Sequence, residues 1–87
     1  MDNKLKIARR IHELDKEGKP ACMSVLKELT GLTTPTISAM LKEMRKDALV
    51  ASRKKGRNRY YTLTKKGKRW ASLLQEASNI HDIWGND

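Results

Sequence analysis

The sequence predicts a mainly helical domain of the α+β class carrying one small β-hairpin. Three observations lead there: apolar residues three and four apart in four separate stretches, two short β-prone runs around a basic turn, and a length of 87 residues. That length suits one domain, 1–87, with one small core, and leaves no room for a second catalytic or ligand-binding unit. The 38% hydrophobic share sustains a compact fold only if helices and strands pool their apolar faces.

Leu5, Ile7, Ala8, Ile11 and Leu14 recur at helical spacing with Lys and Glu between them, so an amphipathic helix is expected over 4–17, ended by Gly18 and Pro20. Ala21-Cys22-Met23 is long enough for a connector or one strand of a small sheet. Ser24 suits the N-cap of a second helix through Val25, Leu26 and Leu29, closed by Gly31 in the left-handed conformation. After Leu32-Thr33, Thr34 serves as N-cap and Pro35 as first residue of a third helix, where the missing N–H costs nothing. On this helix Ile37, Met40, Leu41, Met44 and Ala48 share one face, while Pro35, Ser38, Ala39, Lys42 and Lys46 share the other. That second face is small, hydroxylated and basic. Leu49-Val50-Ala51-Ser52 and Tyr60-Tyr61-Thr62-Leu63 then read as a hairpin whose tip is Arg53 to Arg59, with Gly56 and Asn58 tolerant of positive φ. Thr64 caps a last helix over 65–84 with a stripe of Trp70, Leu73, Leu74, Ala77, Ile80 and Trp84.

Formal net charge is +9, and its distribution is informative. Residues 42–69 contain twelve basic side chains against two acidic ones, Glu43 and Asp47, whereas the rest of the chain nearly balances. A solubility charge would be spread out; a segregated block is the footprint of a face that binds a polyanion. No apolar run approaches a membrane span and no signal-peptide pattern follows Met1, which predicts a cytoplasmic, nucleoid-associated protein without membrane contact. The single cysteine, Cys22, forms no internal disulfide and suits a reducing compartment. Cys22, His12 and His81 share no ligand spacing, so neither a metal nor a cofactor is expected. Because no nucleophile triad, phosphate-cradling glycine loop or paired-carboxylate motif is present, the chain is not expected to be an enzyme.

The segment from Leu26-Lys27-Glu28-Leu29-Thr30-Gly31-Leu32-Thr33-Thr34-Pro35-Thr36-Ile37-Ser38, followed by Leu49-Val50 and Tyr61-Thr62-Leu63-Thr64-Lys65-Lys66-Gly67, resembles the winged helix-turn-helix domains of transcription regulators, most closely the MarR type. The resemblance covers about 20–75 and places the helix-turn-helix at about 24–47, the wing at about 49–63 and the C-terminal helix at about 65–84. It implies a recognition helix in the major groove of double-stranded DNA with Thr34, Thr36, Ser38, Ala39, Lys42 and Lys46 as contacts. It also implies a wing of Arg53, Lys54, Lys55, Arg57 and Arg59 on the minor groove and backbone. Ala48 stands where the family usually has Gly, which predicts a tighter or differently angled turn into the hairpin. No small-molecule effector is implied.

The last helix is longer than a minimal domain of this kind needs. A homodimer through Leu73, Ala77, Ile80 and Trp84 is therefore expected, since twofold proteins also match palindromic sites. The function expected is a sequence-specific DNA-binding transcription regulator acting by site occupancy. Two alternatives stay open: an architectural or replication protein of low sequence preference, from a plasmid or virus, and a winged-helix module that docks an acidic protein. Tyr60 can either stack on a base or pack within the wing.

Overall fold

The computed structural model describes residues 3–77. Its elements are α1 (Asn3–Lys16), α2 (Met23–Thr30), α3 (Thr34–Lys46), β1 (Val50–Lys55), β2 (Asn58–Leu63) and α4 (Lys65–Ala77). This is the mainly α, α+β architecture expected, with β1 and β2 forming one antiparallel hairpin. The expected continuation of the last helix to residue 84 falls outside the described residues, as do Ile80 and Trp84.

The core forms because each amphipathic stretch buries its apolar stripe against the others. Ile7, Ala8 and Ile11 of α1, Leu26 of α2 and Ile37, Leu41 and Met44 of α3 are inaccessible or nearly so, and Val50, Tyr61 and Ala71 close the cluster from the hairpin and α4. Each large aliphatic side chain so buried contributes about 1.5–3 kcal/mol relative to exposure. α1 lies at the centre and touches α2, α3, α4 and β2.

Local chemistry sets the element ends. Gly18 at φ 70° closes α1, with the Lys19 N–H donating to the Leu14 carbonyl at 2.8 Å and the Gly18 N–H to Asp15 at 3.1 Å. This is a Schellman closure, which needs a left-handed residue. Ala21-Cys22 forms a connector, not a strand: the Tyr61 N–H donates to the Ala21 carbonyl at 3.0 Å, and Met23 already belongs to α2. The N-cap of α2 is Cys22 instead of Ser24, because Leu26 N–H bonds back to the Cys22 carbonyl at 3.0 Å. Buried Thr30 ties the helix-turn-helix corner together, its hydroxyl donating to the Leu26 carbonyl at 2.6 Å and accepting from the Leu32 N–H at 3.2 Å.

α3 also begins one residue earlier than its sequence suggests. Thr33, not Thr34, is the N-cap, and its hydroxyl accepts from the Thr36 N–H at 3.4 Å. Consecutive threonines offer two candidate caps, and Thr33 holds the extended backbone of a cap (φ −78°, ψ 158°) while Thr34 is already helical. At the other end Ala48 leaves the helical face assigned to it and lies exposed at φ 60°. Its N–H donates to Arg45 and the following Leu49 N–H to Met44 at 2.8 Å, so the Schellman turn is built with Ala in the place usually taken by Gly. The turn therefore takes a glycine-type conformation with an alanine in it.

Candidate nucleic-acid interface

The exposed face of α3 carries Pro35, Ser38, Ala39, Lys42 and Lys46, all in solvent, while Ile37, Leu41 and Met44 hold the opposite face in the core. Small side chains at Ser38 and Ala39 let a partner approach the helix axis, and the two lysines one turn apart add charge beside them. The Thr33 hydroxyl donates to the Thr36 hydroxyl oxygen at 2.9 Å, which leaves the Thr36 hydrogen free to point at an outside acceptor. Glu43, one of the two acids in the basic segment, is drawn toward Lys4 of α1 at 3.4 Å. That contact sits on the surface and contributes little to stability, but it neutralises negative charge beside the basic helix.

The hairpin pairs Val50 with Leu63, Ser52 with Tyr61, Arg53 with Tyr60, Lys54 with Arg59 and Lys55 with Asn58. Gly56 at φ 64° and Arg57 form the two-residue tip, which is where a tight hairpin needs positive φ. Strand alternation divides the basic side chains between two faces. Lys54 and Arg59 share the face of buried Val50 and Tyr61, whereas Arg53 and Lys55 share the opposite face with Tyr60 and Thr62. The Arg59 guanidinium is held in place by a donated bond to the Ser52 hydroxyl at 3.0 Å.

A cleft of about 480 Å³ joins the start of α2, the start of α3 and the wing, lined by Cys22, Ser24, Lys27, Thr34, Arg57 and Arg59 among others. It brings residues from both halves of the expected site to one surface. Lys27 and Ser24 were not among the expected contacts, and the helix-turn-helix arrangement that puts α2 beside the wing is the signal that would have included them. Within the cleft the Cys22 thiol lies 3.3 Å from the Ser24 hydroxyl. That hydrogen bond first, and the Val25 backbone N–H second, hold the thiol below its ordinary pKa, against a smaller upward push from burial.

The last expected group is only partly covered. Leu73 on α4 is 59% exposed. Ala77 lies at the end of α4, and Ile80 and Trp84 lie outside the described residues. Among the described residues no helix is long and apolar enough to cross a membrane.

Thr64 and Gly67 lock the hairpin to α4. The Thr64 hydroxyl donates to the Ala48 carbonyl at 2.6 Å, with the Leu49 carbonyl at 3.2 Å, and accepts from the Gly67 N–H at 2.9 Å. A Cβ at Gly67 would overlap the Leu49 carbonyl oxygen, so only glycine permits this approach. The wing is thereby anchored at its base and set beside α3.

A helix-turn-helix followed by a two-stranded wing and a further helix defines a winged helix-turn-helix domain. Solved structures agree. The chain is similar to AF1382 from Archaeoglobus fulgidus, with a TM-score of 0.78 and 19% identity over 97% of this chain and 89% of that one. It is also similar to HlyU from Vibrio cholerae N16961, in the reduced protein with a TM-score of 0.69, 23% identity and coverage of 88% and 77%. A second HlyU structure gives a TM-score of 0.67 and 26% identity, covering 87% of this chain and 79% of that one. No protein-family model matches the chain, and no curated protein matches it.

Proposed function

We propose that the protein is a sequence-specific, double-stranded DNA-binding transcription regulator of the winged-helix class, nearest in kind to the MarR type, acting by occupying its site. The observation that carries this reading is the cleft that brings Thr34 at the start of α3 and Lys27 of α2 together with Arg57 and Arg59 of the wing. Thr34, Thr36, Ser38 and Ala39 face base edges in the major groove, with Lys42 and Lys46 on flanking phosphates. On the wing, Arg57 at the tip reaches the minor groove, while Lys54 and Arg59 meet the backbone. A homodimer through α4 presents two such surfaces to a palindromic operator, with Leu73 in the contact. Release of counterions supplies affinity, and the small hydroxylated helix face supplies selectivity.

The deciding experiment is selection of bound sequences from a random duplex pool at about 0.15 M salt. Enrichment of a palindromic motif is the expected result. Retention of duplex without enrichment would transfer the protein to the architectural or replication class, and no retention would remove DNA from the account.

A further inference from the structure

The face of the hairpin turned away from the α2 cleft borders a second, larger depression of about 710 Å³ between the α1–α2 loop and the wing. Its chemistry is set by Lys19, Arg53, Lys55, Tyr60 and Thr62, and by Asp15, which lines it too. The duplex contacts proposed above use none of these residues; Arg53 and Lys55, which the resemblance counts among the wing contacts, lie on this other face of the hairpin. Tyr60 is half-buried on this face, and its strand partner Arg53 stands directly across from it, with Lys55 on the same side two residues along. Directly paired side chains have Cβ atoms about 4.5–5.5 Å apart, so an arginine side chain starts within reach of the aromatic ring.

We infer that this depression is a second nucleic-acid site, taking a short segment of single-stranded DNA with a base on the Tyr60 ring and its phosphates on Arg53, Lys55 and Lys19. A flat π face flanked by cations in a groove matches the alternation of base and phosphate along an unpaired strand. Intact duplex keeps its bases stacked inside and offers the ring only sugar and phosphate. An acidic peptide satisfies the cations but has no systematic use for the ring. Asp15 opposes phosphate, which predicts modest affinity that rises when the carboxylate is removed. The choice of DNA over RNA rests on the duplex reading, because both hairpin faces meet at the Gly56-Arg57 tip and a strand leaving a melted duplex can pass round it.

The test measures fluorescence anisotropy of the full chain with labelled oligo(dT), with a labelled duplex, and with oligo(rU) and oligo-glutamate as competitors. Tyr60→Leu keeps apolar bulk and should weaken oligo(dT) binding about tenfold, the loss expected for a base of ~1.4 kcal/mol stacking. Tyr60→Phe should retain it. Asp15→Asn should strengthen it, an outcome that misfolding cannot produce. All three variants should bind duplex as the parent does, so failure of this site and failure of the duplex reading separate. Unchanged oligo(dT) affinity in Tyr60→Leu would overturn the inference. So would tighter binding of oligo(rU), which would assign the groove to RNA, or of oligo-glutamate, which would assign it to an acidic protein.

Discussion

Two residues at the junction of α3, the hairpin and α4 hold opposite positions in the energetics of the wing. At Gly67 the absence of a side chain is structural, since a methyl group would collide with the Leu49 carbonyl that also accepts from the Thr64 N–H at 3.1 Å. Gly67→Ala should therefore destabilise the fold by more than about 2 kcal/mol, seen as a lower denaturant midpoint, because backbone on one side and a helix on the other leave no room to relax. At Ala48 the sign reverses. A non-glycine residue at φ 60° carries roughly 1–2 kcal/mol of strain, partly offset by the lower chain entropy of Ala in the unfolded state. Ala48→Gly should raise stability by about 0.5–1 kcal/mol, measurable as a Tm several degrees higher. Neither effect could be assigned from composition: one depends on where the Leu49 carbonyl points and the other on the φ that the turn imposes on Ala48.

At the scale of elements, α3 and the hairpin carry charge with different geometric consequences. Lys42 and Lys46 lie one turn apart on a helix whose other face is fully committed to the core, so their direction was legible from the spacing of Ile37, Leu41 and Met44. The wing was legible as a hairpin but not as a two-faced one, since the division of Arg53 and Lys55 from Lys54 and Arg59 depends on strand register. The helix caps were legible to within two residues. Ser24 and Thr34 have the right chemistry for caps, yet Cys22 and Thr33 occupy those positions because the turns before α2 and α3 decide where helical backbone begins. If Lys42 and Arg57 each engage a phosphate or the groove beside it, Lys42→Ala should weaken all duplex sequences alike and reduce the slope of log K against log salt by about one. Arg57→Ala should weaken binding and also alter A·T preference, and an unchanged preference would place Arg57 on the backbone.

At the scale of the whole molecule, the dimer proposal turns on the apolar surface that α4 leaves outward. Leu73 stays 59% exposed while Trp70 and Leu74 of the same helix pack on the core, so α4 presents an apolar residue outward next to a face already in use. On the dimer proposal Leu73→Glu should lower the sedimentation mass to that of one chain and weaken binding to a palindromic duplex more than to a half-site. A mass unaffected by the substitution would place the contact elsewhere or remove it.

The order of elements, the apolar faces of the helices and the concentration of positive charge were readable along the chain, because they follow from local periodicity and composition. The sequence also pointed to the winged helix-turn-helix through the residues from Leu26 to Ser38 and from Tyr61 to Gly67. The residues that cap α2 and α3, the glycine conformation of Ala48, and the division of Arg53 and Lys55 from Arg57 and Arg59 between a groove beside α1 and a cleft beside α2 came from the fold in space. Those outcomes depend on contacts between residues distant in the chain, where a change of one residue in strand register would exchange the two faces of the wing.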